Sequence, residues 1–191
     1  MKRILLAILF SLPMMAFAKG DDTKYLLGAV PEVDGIITFQ TTINAPGKSQ
    51  AQVYQAISSY IQKELVGNAI EGLRTRIISD GKEDGTIVAR IEEYMIFKKK
   101  ALNLDRTRFR YQLTAKTSNG KTDLVLTQVS YYYNEDMNGE NGVTYKGEEW
   151  ISDKEAVNKK GTALYPRSGK FRRKTVDRVE AIFQGAENAL K

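Results

Sequence analysis

From Arg106 to Lys116 the chain alternates at almost every step, and this constrains its fold more than any other feature. Thr107, Phe109, Tyr111, Leu113 and Ala115 fall on one side of an extended strand, and Arg106, Arg108, Arg110, Gln112 and Lys116 fall on the other. Successive side chains of a strand point to opposite faces, so one face is dry and one is wet. An antiparallel sheet covered on a single side has that pattern. Cysteine is absent from all 191 residues, so no disulfide can substitute for a core, and the dry face must find a layer to pack against.

The neighbouring segments supply both layers. Ile36–Ile43, Leu73–Ser79, Thr86–Phe97, Thr122–Tyr133 and Val143–Ile151 read as further strands, separated by Asp80-Gly81, Asp84-Gly85 and Asn119-Gly120 turns. Ser49 with Gln52 forms a capping box, and Val53, Ile57, Tyr60, Ile61 and Leu65 then recur at helical spacing up to Gly67. Ser152 with Glu155 predicts a second capping box and a short helix. A long helix is expected over Lys170–Leu190, its apolar stripe running from Phe171 through Val179, Ile182, Phe183 and Ala186. The expectation is an α+β domain. An antiparallel sheet of five to six strands carries two main helices on one face, in the order strand, helix, four strands, helix.

The first residues read differently. Lys2 and Arg3 precede the apolar run Ile4–Phe10, and Ala16-Phe17-Ala18 offers small residues for cleavage, the pattern of a secretory signal peptide. Ile4–Ala18 is too short for a membrane span, which takes about 20 residues. The expected organisation is a signal peptide over 1–18, an irregular arm over 19–35 docked by Tyr25-Leu26-Leu27, and a single domain over 36–191. Lys19 follows the cut where a lipoprotein needs cysteine, so the expectation is an exported, lipid-free protein. It would be periplasmic, outer-membrane associated or released outside the cell. No transmembrane span is expected after cleavage.

Absent residue types narrow the chemistry. Without histidine or cysteine, zinc sites, thiol nucleophiles and Ser-His-Asp triads are excluded by count. Glu92-Glu93 and Glu148-Glu149 are carboxylate doublets, yet adjacent strand residues face opposite ways, so neither is by itself a catalytic pair. No metal, cofactor or catalytic residue is expected. The net charge of +6 falls by the two charges of Lys2 and Arg3 on cleavage, a mild excess that does not argue for nucleic acid.

Two basic groups stand out as binding candidates. Arg74, Arg76, Arg106, Arg108 and Arg110, with Arg90, could share the wet face of the sheet and dock an anionic envelope lipid, a glycan or an acidic protein. Carboxylates such as Glu92 opposite them could equally make that face a solvated set of cross-strand pairs. Lys170, Arg172 and Arg173, with Lys159, Lys160, Arg167 and Lys174, form a second cluster at an expected helix start, where cations oppose the dipole. Tyr131-Tyr132-Tyr133, Tyr145, Trp150 and Tyr165 fall nearby and read as the edge of the core.

The run Gly147–Lys154, then Asn158-Lys159-Lys160 and Gly169–Asp177, resembles the family catalogued as domain of unknown function 4468, found in exported proteins of Bacteroidetes. Gly28-Ala29-Val30-Pro31 and Val33-Asp34-Gly35 are similar to it as well. The resemblance spans Tyr25 to Phe183 and implies a TBP-like fold and an envelope address; the family has no established activity, so no functional residue carries over. The leading expectation is a non-enzymatic binding module. Alternatives are a carrier of an apolar ligand, lined by Phe109, Tyr111, Leu113, Ile182 and Phe183, and a carboxylate-based hydrolase.

Overall fold

A computed structural model describes residues 22–100, 103–135 and 141–191. The export signal expected at 1–18 lies outside the described residues, as does the start of the arm. Eight strands and three helices follow in the order β1 (Glu32–Val33), β2 (Ile36–Ile37), β3 (Phe39–Asn44), α1 (Gln50–Tyr60), β4 (Arg76–Gly81), β5 (Thr86–Lys100), β6 (Asn103–Ser118), β7 (Lys121–Tyr133), β8 (Val143–Lys146), α2 (Asp153–Ala156) and α3 (Pro166–Ala189). The main sheet has six antiparallel strands ordered β3-β7-β6-β5-β4, and β8 joins the edge of β7 that β3 leaves free.

The alternation of β6 holds along its length. Phe109, Leu113 and Ala115 are fully buried and Tyr111 nearly so. Val53, Ile57, Ile61 and Leu65 of the first helix and Phe171, Val179, Ile182 and Ala186 of α3 cover them, so both helices lie on one face. Aromatic rings continue the core toward β8: Phe109 stacks on Tyr131 at 5.6 Å between centroids, and Tyr131 meets Phe171 edge-on at 5.0 Å.

Both halves of the first capping box form. The Ser49 amide donates to Gln52 Oε1 at 2.8 Å, and the Gln52 amide donates to Ser49 Oγ at 3.4 Å. Beyond Tyr60 the helix widens into a π-helical turn, Ile61–Val66, which closes with the Gly67 amide on the Gln62 carbonyl at 2.7 Å.

Three expectations are corrected, and β7 adds an irregularity beyond them. β7 carries a bulge: Gln128 adopts φ 55°, and Gln128 and Val129 together oppose Tyr111. This extra residue turns Val129 and Tyr131 inward in step with Leu124 and Leu126. The second capping box does not form, because Ser152 heads a single four-residue turn and its side chain caps nothing. α3 begins at Pro166 rather than Lys170. Proline is pre-organised for the first helical position, and Gly169 falls inside the helix, where the Leu164 Cβ would lie 2.9 Å from any Cβ and so favours glycine.

The arm is the third. It contains a 3-10 turn and a small hairpin, β1–β2, whose Asp34 and Gly35 take the positive φ values that a tight hairpin turn needs. Of the apolar patch only Leu27 is exposed, at 63%; Tyr25 packs against the core, and Val30 is buried in it. Polar groups hold the arm as well.

Candidate functional site

The wet face of the sheet is free of helices, and its arginines divide by what stands opposite them. Glu92 on β5 is the organiser. It lies on the wet side but is only 2% exposed. Its Oε1 accepts from Arg110 Nε at 2.6 Å and sits 3.9 Å from Arg108, and its Oε2 accepts from the Arg74 backbone amide at 2.7 Å. Burial raises the cost of ionising this carboxyl; the Arg74 amide and the Arg110 and Arg108 guanidinium groups outweigh that and hold it below the ordinary glutamate value.

Arg108 also binds Glu135 through two nitrogens, one at 2.7 Å. Arg108 and Arg110 flank the Tyr132 ring at 5.6 and 5.3 Å, and Arg106 lies over the Tyr94 ring at 4.0 Å. Glu92, Glu135, Tyr94 and Tyr132 thus build an internal cation-and-ring network that the sequence pattern signals only through Glu92 opposite Arg110.

Arg76 and Arg90 differ. They face each other directly across β4 and β5, both exposed. Neither side chain makes a hydrogen bond or ion pair among the described residues. Like charges directly opposite in a sheet are destabilising. Arg74 stands two residues before β4 rather than on it; its amide serves Glu92 while its side chain is exposed.

Lys170, Arg172, Arg173 and Arg167 of the second basic cluster are structural in their contacts, while Lys159, Lys160 and Lys174 are exposed, and the expected position at a helix start is corrected. With α3 starting at Pro166, Lys170, Arg172 and Arg173 lie in its second turn and beyond, past the free amides of the terminus. Arg172 is fully buried. Its guanidinium donates to the carbonyls of Tyr25 (2.5 Å), Leu26 (2.6 Å) and Ile151 (2.6 Å) and to Asp153 Oδ1 (2.5 Å). Arg173 holds Asp22 through two bonds at 2.5 and 2.6 Å. These contacts, with Lys24 on Asp177, fasten the arm to α3. Lys170 reaches Asp105 and the Tyr133 hydroxyl, each at 2.7 Å, and Arg167 covers the Trp150 ring at 4.8 Å.

Of the two carboxylate doublets, Glu92-Glu93 behaves as strand geometry requires: Glu92 serves the wet face, while Glu93 faces α3 and receives Arg178 through two bonds of 2.8 Å. Glu148-Glu149 does not, because β8 ends at Lys146 and the chain turns there instead of continuing as a strand to Ile151. Glu92, Glu93, Asp105 and Glu135 are each committed to a cation. Among the described residues no cluster of acids has the makings of a metal site, and no helix is long and apolar enough to cross a membrane. Where the carrier reading needs room, Phe109, Tyr111, Leu113 and Ile182 are packed and buried. Clefts of about 610 and 880 Å³ open along α3; half-buried Phe183, the fifth residue of the carrier reading, lines the larger, and the other four line neither.

No curated protein matches the chain. The family model described as a domain of unknown function (DUF4468) with TBP-like fold matches residues 39–132, the strand–helix–strands segment that precedes the Gly147–Lys154 run. A crystal structure of a DUF4468 family protein from Bacteroides ovatus is 39% identical, with a TM-score of 0.82 over 90% of this chain and 96% of that one. A TBP-like protein from Parabacteroides distasonis, 19% identical, shares the fold with a TM-score of 0.70 over 85% of this chain and 97% of that one. The chain belongs to the DUF4468 family and has its TBP-like α+β fold.

Proposed function

We propose that this protein is a non-enzymatic, exported binding module whose helix-free sheet face engages anionic groups of the cell envelope. One observation carries the reading: Arg76 and Arg90 stand opposite each other, exposed and without an internal counter-charge. A sheet that supplies Glu92 and Glu135 to its central arginines leaves this pair without an acceptor, and an external phosphate or carboxylate would relieve the repulsion. Arg74 beside them and Arg106 over Tyr94 extend the cationic surface, while Arg108 and Arg110 act mainly through their neutralised network with Glu92.

The export pattern of residues 1–18 and the lack of histidine and cysteine support an envelope setting and a binding role. The test is titration of anionic phosphatidylglycerol vesicles and, separately, of a soluble acidic polysaccharide. Each basic residue near an anionic surface contributes about 1 kcal/mol. The double variant Arg76→Gln/Arg90→Gln should therefore bind vesicles roughly thirtyfold more weakly. Equal loss for the polysaccharide identifies a glycan-competent site, loss for vesicles alone a lipid site, and loss for neither removes the proposal.

A further inference from the structure

β5 is longer than the strand covering its outer edge. β4 accompanies it only as far as Arg90, whereas β6 pairs with it to Lys100. Just beyond Arg90 a side chain stands in for a strand: Thr75 Oγ1 accepts from the Glu92 amide at 2.9 Å and donates to the Glu92 carbonyl at 2.7 Å. Glu92 therefore turns its backbone groups away from β6, and the two-residue period makes Tyr94 and Ile96 do the same. No described residue pairs with those outward groups. Ile96 is 44% exposed along this edge. An unpaired edge is a template for another strand.

The edge has a companion. A cleft of about 380 Å³ lies between it and α3, walled on one side by Glu93, Tyr94, Met95 and Ile96 and on the other by Lys174, Asp177, Arg178 and Ala181. Glu93 and Met95 turn toward the helix, Tyr94 and Ile96 contribute the strand edge, and the helix positions are spaced i, i+3, i+4 and i+7. In this layout an added strand hydrogen-bonds through its backbone and sets alternate side chains between strand and helix.

The charges around the cleft select the occupant. Glu93 is taken by Arg178, and Asp177 is taken by Lys24 at 2.8 Å and by the Tyr25 hydroxyl at 2.9 Å. Lys174, and Lys98 and Lys99 further along the edge, are exposed and have no acidic partner among the described residues. The unspent charge is positive. A second copy presenting the same edge would bring its own lysines against these, a like-charge conflict that lysine-bearing edges use to discourage self-pairing.

We infer that the groove between the free edge of β5 and α3 binds an extended acidic peptide segment of another protein, which adds to the sheet as a further strand. The probe is a fluorescein-labelled acetyl-Val-Glu-Val-Glu-Val-Glu-amide, titrated into the mature protein and followed by anisotropy. Saturable binding is expected, with new hydrogen-exchange protection at the Tyr94 and Ile96 amides. Lys174→Glu should weaken it about tenfold, and Ile96→Pro, which removes an outward donor, should abolish it. Peptides N-methylated at the valines or at the glutamates keep the test decisive if the proline variant does not fold: one set should lose binding and the other keep it. Indifference to both N-methyl sets, equal binding of the lysine-for-glutamate peptide, protection elsewhere, or concentration-dependent dimers in place of peptide binding would each overturn the proposal.

Discussion

Arg172 on α3 and the Arg76–Arg90 pair on the sheet are the same residue type in opposite circumstances. Arg172 is fully buried and meets four acceptors, three of them backbone carbonyls from the arm and from the turn before α2. Arg76 and Arg90 are exposed and meet only each other. A guanidinium has five donors and strong geometric demands, so where the fold supplies the acceptors the residue is structural. Where the fold supplies none, the donors are available to something else. Clustering of basic residues in the sequence does not separate the two cases; the acceptors do.

The largest expected effect breaks the buried side of this comparison. Arg172→Met strands three carbonyls and leaves Asp153, 36% exposed, with only the Gly28 amide; losing the buried guanidinium costs about 3–5 kcal/mol. Urea unfolding should show that loss, with hydrogen exchange at 22–30 rising more than in the sheet. A variant with wild-type stability would mean that the arm is held by its other contacts.

Glu92→Gln probes the sheet's own acceptor. It keeps the shape but removes the charge from Arg110 and Arg108, and a loss of about 1–3 kcal/mol at neutral pH is expected. The pH dependence has a definite sign. Because the folded value of Glu92 lies below the ordinary 4.5, its stabilisation is complete above that pH and is lost as pH falls through the folded value. The stability gap between the native protein and Glu92→Gln should therefore narrow below pH 4.5, measured by urea midpoints across the acid range.

Arg173 is the intermediate case, 37% exposed and paired with Asp22. Arg173→Gln should cost about 0.5–1 kcal/mol, as partly exposed ion pairs do. The smallest effect has the opposite sign. Arg76→Gln/Arg90→Gln removes a like-charge cross-strand pair and should raise stability by about 0.2–1 kcal/mol in the absence of ligand. A measurable loss instead would show that the pair has an internal role.

The parts of the fold legible in the sequence are those that local pattern dictates. The alternation of Arg106–Lys116 fixes which residues face the helices, and Ser49 with Gln52 fixes where α1 begins. The Gln128 bulge was not legible because glutamine has no preference for positive φ; pairing with β6 and burial of Val129 and Tyr131 impose it. Ser152 and Glu155 carry the letters of a capping box but lead into one turn, with too few helical residues to make it matter. Of the candidate site, the sheet arginines were legible from periodicity, and the Glu92 partnership was visible as one possibility. The role of Arg172 was not, since Tyr25 and Leu26, whose carbonyls it binds, lie about 150 positions away along the chain. Tertiary contacts of that range leave no periodic trace.

The most direct test of the account is vesicle titration of the native protein beside Arg76→Gln/Arg90→Gln, run at two salt concentrations. The account predicts weaker binding and a shallower salt dependence in the double variant, with the fold intact. Equal affinity and equal salt dependence in the two proteins would contradict it.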